Sequence, residues 1–148
     1  GTYECKIDTK GRVLIPAALK KQLTAVGEGF VLKRSVYEQC VELWPMNEWK
    51  LMMDKLNELN RFQRKADTFI RKFMAGVKVV DIDDAGRLQI NKDLVEYAKL
   101  SKEVVFSSKI NRIEIWDKDL YEQIINDEDI DFGDLAEEVM GGINNYGA

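Results

Sequence analysis

The feature that most constrains the fold of this 148-residue chain is a motif that occurs twice. The copies span residues 8–16 and 83–91, so they begin 75 positions apart, and each reads Asp-x-x-Gly-Arg before an apolar-rich run. A short alternating run precedes each copy. A glycine inside a four-residue polar turn between two β-like runs is typical of a tight hairpin. The chain is therefore predicted to contain two hairpins, each with an arginine just past the glycine.

The duplication continues beyond the hairpins. Each hairpin is followed by a short helical run, then a strand, then a strand that carries Glu-x-Trp, at residues 42–44 and 114–116. Four successive features that match are much stronger evidence for a repeat than one motif. A unit of roughly 75 residues is near the lower limit for an independent core. We therefore expect the two units to pack on each other or on another chain.

These patterns predict a division of the chain into four segments. They are a first repeat with its following helix, a basic connecting helix, a second repeat with its following helix, and an acidic C-terminal segment, at residues 1–60, 61–76, 77–126 and 127–148. Asn47 is predicted to cap a helix over residues 48–60, and residues 135–140 to add one helical turn. Residues 141–148 are predicted to form a frayed end.

The connecting helix is predicted to be amphipathic, with Phe62, Phe69 and Phe73 on its apolar side and five Lys or Arg residues around the rest. Two interpretations of the basic side stay open. It is either a solvated surface beside a core stripe, or a surface that meets an acidic partner. The acidic segment of this chain or of a neighbouring copy is one such partner.

The charge of the chain is distributed unevenly. The formal net charge is −4 overall. Residues 1–80 carry 15 Lys and Arg against 9 Asp and Glu, whereas residues 81–148 carry 7 against 17. Steering by charge is a local property of a surface, so an acidic C-terminal third is compatible with a basic face that binds nucleic acid.

Several classes of function are disfavoured by composition. Histidine is absent, which removes the commonest general base and the commonest metal ligand. The acidic residues at 83–84 and 127–134 lack the spacing of an EF-hand loop, with its central glycine and terminal glutamate. No apolar run approaches the length of a membrane span, and Cys5 and Cys40 are expected to be buried free thiols. We therefore expect no enzyme activity, cofactor, metal, membrane contact or small-molecule substrate.

The aspartate and arginine of each motif lie four residues apart across the turn, so they can pair. One interpretation is a turn-stabilising ion pair, but exposed pairs contribute roughly 0–1 kcal/mol. The other is that each aspartate holds an arginine ready for a planar acceptor, such as guanine or phosphate. Lys10 adds a cation to the first copy. The second copy has Ala85 at that position and an extra Asp84, which makes its local field less favourable for DNA.

The Asp-x-x-Gly-Arg turn followed by a strand, Pro16 and a helix resembles the swapped-hairpin DNA-binding domain of the AbrB family. The tandem arrangement with its Glu-x-Trp strands is similar to the MraZ family of bacterial transcriptional regulators, over about residues 3–140. The resemblance implies an α+β fold of two tandem swapped-hairpin β-barrel repeats. These would form an internal pseudo-dimer with flanking helices.

The resemblance also implies a function. DNA binding would be carried by Asp8 and Arg12, with Lys10, and by Asp83 and Arg87. The partners would be double-stranded promoter DNA with short repeats, in the division and cell-wall gene cluster, and further copies of the chain in a homo-oligomeric ring. The protein would be cytoplasmic and associated with the nucleoid. Asp84, Ala85 and Asn91 depart from the family pattern, so the second copy is the weaker candidate.

A protein-interaction module is the alternative, because related swapped-hairpin domains serve as antitoxins. In that case the acidic C-terminal third would bind a basic cleft of a partner. Copurification of a basic partner without retention on promoter DNA would favour this alternative.

Overall fold

A computed structural model describes residues 1–24 and 27–141. Gly1–Lys118 form one compact unit, and the chain from Asp119 onward belongs to a second. The strands are β1 Thr2–Lys6, β2 Arg12–Leu14, β3 Phe30–Arg34, β4 Val41–Pro45, β5 Lys78–Val80, β6 Arg87–Gln89, β7 Glu103–Lys109 and β8 Arg112–Asp117. The helices are α1 Ala17–Thr24, α2 Met46–Asn57, α3 Arg64–Met74, α4 Lys92–Ala98, α5 Lys118–Ile125 and α6 Phe132–Met140.

The six-stranded antiparallel sheet interleaves the two repeats. Its strand order is β1-β7-β8-β4-β3-β5. Strands β1 to β4 come from the first repeat and β5 to β8 from the second. When each strand is exchanged for its counterpart in the other repeat, the order becomes β5-β3-β4-β8-β7-β1, which is the same order counted from the opposite edge. The first strand of each repeat pairs with a strand of the other repeat: β1 pairs with β7, and β5 pairs with β3. The expected α+β fold, with its tandem repeats and internal pseudo-dimer, is confirmed.

The remaining strands, β2 and β6, pair with each other as a two-stranded ribbon. Single antiparallel bridges, Ile7 with Val13 and Ile82 with Leu88, connect this ribbon to the residues that follow β1 and β5. The ribbon thereby joins the two edges of the sheet. This arrangement leaves each Asp-x-x-Gly-Arg turn at one end of the ribbon.

One hydrophobic core serves both repeats. It is built from β-branched and leucine side chains of the strands together with α1 and α4, and Val13 and Leu88 at its centre are fully buried. A second cluster lies under α2 and α3, where the Trp49 ring stacks on Phe73 with centroids 5.8 Å apart. The connecting helix is thus fixed by aromatic packing on its apolar side.

Two local predictions about the helices were wrong. Helix α2 begins at Met46 because Pro45 holds the extended backbone of the cap position, so Asn47 lies inside the first turn. Helix α3 begins at Arg64, since the backbone N–H of Phe62 and of Gln63 both bond to Asn60 in a preceding turn. Phe62 is consequently fully exposed and lies outside the apolar side of the helix.

The two Glu-x-Trp strands meet at the centre of the sheet. Glu42 on β4 lies directly opposite Glu114 on β8, and both carboxylates are buried. Each accepts a hydrogen bond from the indole Nε1 two residues on, Trp44 at 3.1 Å and Trp116 at 3.2 Å. Glu42 also pairs with Arg112 at 3.1 Å and with Lys33 at 3.7 Å. Like charges opposite each other in a sheet are destabilising. Arg112 and Lys33 therefore offset the repulsion between the two carboxylates.

In the second unit, α6 is longer than the predicted turn, because Asp131 caps it by accepting from the Asp134 backbone N–H at 3.0 Å. Residues 142–148 of the predicted frayed end lie outside the described residues. No helix in the described part of the chain is both long and apolar enough to cross a membrane. Cys5 and Cys40 are buried free thiols, as expected, and burial raises the pKa of Cys5 to about 11.

Candidate nucleic-acid interface

The first Asp-x-x-Gly-Arg turn is held by its aspartate. The Asp8 carboxylate accepts from the backbone N–H groups of Lys10 and Arg12, both at 2.9 Å, and from the Arg12 Nε at 2.8 Å. The Gly11 N–H donates to the Asp8 carbonyl at 3.1 Å, and Gly11 has a φ of +79°. One side chain therefore fixes both the turn and the direction of the arginine.

The second turn has the same construction. The Asp83 carboxylate accepts from the Arg87 backbone N–H at 2.8 Å and from the Arg87 Nε at 3.2 Å. In both copies the bond uses Nε, which leaves the two terminal nitrogens of the guanidinium for a further acceptor. The arginine side chains are 38% and 45% exposed, so that acceptor can come from outside the protein.

Both aspartates are stabilised in their ionised form. The backbone hydrogen bond from Arg12 is the largest cause that holds the pKa of Asp8 below its ordinary value of 3.8. The corresponding bond from Arg87 lowers the pKa of Asp83. A lowered pKa in the folded state contributes stability above the unfolded value, and this is lost as pH falls through the folded value. The pairs therefore persist throughout the neutral range.

The ribbon places both arginines on one face. Arg12 lies opposite Gln89, and Arg87 lies opposite Leu14. Because side chains alternate along a strand, Val13 and Leu88 point into the core and these four side chains point outward. Arg12 and Arg87 are thus diagonal neighbours, and their Cα atoms are about 7–8 Å apart. Leu14, directly opposite Arg87, is 64% exposed.

Further lysines lie beside the turns, and some come from the other repeat. A cleft of about 510 Å³ next to the first turn is lined by Lys10, Lys92 and Lys102, among other residues. At the second turn, a methyl group added to Gly86 would come within 3.6 Å of the Lys20 Nζ. Lys20 of the first repeat therefore supplies a cation near the turn that has Ala85 and Asp84 in its own sequence.

Replacing Gly11 by alanine is expected to destabilise the ribbon more than replacing Gly86. Both glycines have positive φ, which costs another residue about 1–2 kcal/mol. A Cβ at Gly11 would also lie 2.3 Å from the Ile90 carbonyl oxygen, whereas the nearest atom at Gly86 is 3.5 Å away on the flexible Lys20 side chain. We expect Gly11→Ala to lower the free energy of unfolding by about 1–3 kcal/mol more than Gly86→Ala. Urea denaturation of the two variants measures this difference, and equal losses would contradict it.

All five residues predicted as the site lie at this ribbon. Asp8, Lys10 and Arg12 form one turn, and Asp83 and Arg87 form the other. Sequence reasoning missed Leu14 and Gln89, although the alternation of each strand was a usable signal. It also missed Lys20, for which no local signal exists because the contact joins different repeats. Within residues 1–24 and 27–141, no cluster of three or more potential ligands is arranged to hold a metal ion.

Comparison with known proteins agrees with the duplicated architecture. The family model described as "MraZ protein, putative antitoxin-like" matches twice, over residues 1–72 and 73–141. A Flavobacterium psychrophilum protein named transcriptional regulator MraZ is 60% identical over 98% of this chain and 93% of its own length. Proteins of the same name from Christiangramia forsetii and Cytophaga hutchinsonii are 58% and 35% identical, each over 95% of this chain and 92% and 93% of their own lengths. By its fold, its tandem repeats and these relatives, the chain belongs to the MraZ family.

Proposed function

We propose that this chain is a sequence-specific DNA-binding transcriptional regulator that reads base edges with the outward face of the β2–β6 ribbon. The observation that carries the proposal is that two arginines from different repeats, each oriented by an aspartate, lie on one exposed ribbon face. The names of the relatives support a role in transcription.

The dimensions of the ribbon suit the major groove. That groove is about 12 Å wide and admits a two-stranded β-ribbon. The Cα atoms of the two arginines, about 7–8 Å apart, are separated by roughly two base-pair steps of about 3.4 Å each. The face also carries the chemistry of base recognition, since arginine matches guanine and an apolar side chain such as Leu14 contacts the thymine methyl group.

The lysines at the turns would contact the DNA backbone. Lys10 and Lys20 lie beside the two ends of the ribbon, where the flanking phosphates pass. Ammonium groups on flexible stems suit phosphate as point charges, whereas the fixed arginine forks suit bases. Lys10, Lys20 and the two arginines together give each protomer a small set of DNA contacts.

Such a small set requires repetition. One bidentate arginine–guanine contact is worth about 1–3 kcal/mol of discrimination, whereas a nanomolar site needs about 12 kcal/mol net. We infer that a homo-oligomeric ring binds several short repeats at once, in the promoter of the division and cell-wall gene cluster, at the nucleoid. Avidity then supplies affinity without new types of contact.

A nuclease footprint on the DNA upstream of the chain's own gene tests this function. The expected result is a set of short protected segments at regular spacing, which appear together as the protein concentration rises. A uniform pattern without protected segments, at a concentration where the protein is fully assembled, would overturn the proposal.

Replacing Lys10 by alanine is expected to weaken binding by a similar factor on every DNA sequence. If Lys10 contacts a phosphate, the slope of log affinity against log salt becomes shallower by about 0.9 for each engaged protomer. Fluorescence anisotropy on operator and scrambled DNA over a range of salt measures both effects. Lys50→Ala is the control, since Lys50 pairs with Glu28 at 3.3 Å outside the ribbon. The salt slope of this variant should match that of the parent. A loss confined to the operator would show that Lys10 reads a base instead.

A further inference from the structure

A basic and aromatic cleft lies between the end of α3 and the end of β3. It has a volume of about 440 Å³, and its lining includes Lys33, Arg34, Phe69, Lys72, Phe73 and Tyr97. Three of these six side chains are cationic and three are aromatic. The cleft is separate from the outward face of the β2–β6 ribbon, and the proposed DNA contacts do not use it.

Arg34 is the unsatisfied group in this cleft. Its guanidinium lies over the Tyr97 ring, 5.0 Å from the centroid. Its Nε is buried and has no hydrogen-bond partner among the described residues. Buried charged N–H groups are normally bonded, and a carboxylate is the acceptor that matches an arginine. The Nε itself is closed off from solvent, so a carboxylate that enters the cleft would bond to the terminal nitrogens of the guanidinium.

Lys33, by contrast, already has its partners. Its Nζ donates to the Arg34 carbonyl, pairs with Glu42 at 3.7 Å and lies 4.1 Å from the centroid of the Phe73 ring. The cations left for a ligand are therefore Arg34 inside the cleft and Lys72 at its rim. Residues 61–72 around this rim carry five Lys or Arg against one Asp, so the approach to the cleft is strongly positive.

The chain itself carries a segment of complementary chemistry. Residues 119–141 contain nine Asp and Glu and no Lys or Arg. In α6, Phe132, Leu135 and Val139 are spaced three and four apart and are 78%, 43% and 68% exposed. Asp134, Glu137 and Glu138 follow the same spacing on an adjoining side. This helix offers an aromatic and aliphatic stripe bordered by carboxylates, which matches the aromatic and cationic lining of the cleft.

We propose that this cleft binds the acidic α6 segment of a second copy of the chain. The contact joins two different surfaces, so it is heterologous and repeats from copy to copy, which gives a ring where the rotation between copies closes. Every protomer carries one cleft and one segment, which gives the required one-to-one ratio. The inference rests on the self-assembly part of the proposed function and is independent of its DNA-binding part.

Charge reversal on the full chain tests the contact. Lys72→Glu alters the rim, and the pair Glu137→Lys with Glu138→Lys alters the segment. We expect each change to raise, by about tenfold or more, the protein concentration at which half of the chains are assembled. Light scattering measures this concentration. Lys65→Glu is the matched control on the same helix outside the cleft, and it should assemble like the parent. Circular dichroism verifies that each variant is folded.

Mixing the two reversed proteins distinguishes a contact between copies from one within a chain. Each reversed cleft then meets a reversed segment on the other protein, so assembly should recover in the mixture. A mixture that stays dissociated would overturn the proposal, as would unchanged assembly of either reversed protein. Arg12→Ala should assemble like the parent, so a failure of DNA binding and a failure of this contact give different results.

Discussion

Replacing Arg12 by alanine is expected to lower affinity for the operator by about 10-fold to 100-fold for each engaged protomer. The variant removes a guanidinium that Asp8 holds in position at 2.8 Å, and it leaves the turn closed by the backbone bonds to Asp8. The loss should be largest on the operator and small on scrambled DNA. Electrophoretic mobility shift or anisotropy at fixed salt measures the ratio of the two affinities.

Arg71→Ala is the matched control for this prediction. Arg71 pairs with Asp67 four residues away at 2.7 Å, so it has the same partner type and spacing, but it lies on α3 rather than on the ribbon. Both variants change the net charge by one. We expect Arg71→Ala to bind like the parent and Arg87→Ala to resemble Arg12→Ala. Equal effects of Arg12→Ala and Arg71→Ala would show that only total charge matters.

Replacing Glu42 by alanine is expected to destabilise the fold by about 3–5 kcal/mol, because removing one partner of a buried pair leaves the other uncompensated. Lys33 is only 1% exposed, and burial lowers the pKa of its ammonium group while Glu42 opposes that shift. The Trp44 indole also loses its acceptor, and Arg112 keeps only its hydrogen bond to Asn111. The melting temperature should fall by about 10 °C or more.

Glu114→Ala is the internal comparison, since Glu114 occupies the equivalent position in the second repeat. Its partner Lys109 pairs at 3.5 Å and is 55% exposed, so water can solvate that ammonium group when the carboxylate is lost. We expect a loss of about 1–3 kcal/mol, the usual cost of removing one partner of a buried hydrogen bond. Thermal unfolding of both variants measures the difference, and a larger loss for Glu114→Ala would contradict the account.

The hairpin turns could be predicted from the sequence because their structure is determined locally. Asp8 and Gly11 act within four residues, and the motif repeats at Asp83 and Gly86. The end of the strand at Pro45 was also readable, because proline restricts the chain wherever it lies. The pseudo-dimer was expected only through the resemblance to a known family, and the pairing of β1 with β7 was not predicted, since both repeats carry strands of similar pattern.

What the sequence could not provide is the set of contacts between repeats. The register that brings Arg12 opposite Gln89 depends on how two distant strands pack over a shared core. Lys20 approaches Gly86 for the same reason, so the second turn is less acidic in space than Asp84 and Ala85 suggest. Asn47 shows the converse error, because its good capping propensity is overridden by the extended backbone of Pro45.

The central claim is that the ribbon arginines read guanines in the major groove, and base-analogue substitution tests it most directly. Replacing operator guanines by 7-deazaguanine removes the N7 acceptor while keeping base pairing and charge. The parent should lose affinity on the modified operator, and Arg12→Ala should lose much less, with a coupling of about 1–3 kcal/mol in the double-mutant cycle. Equal losses for the parent, Arg12→Ala and Arg87→Ala at every guanine would contradict the account.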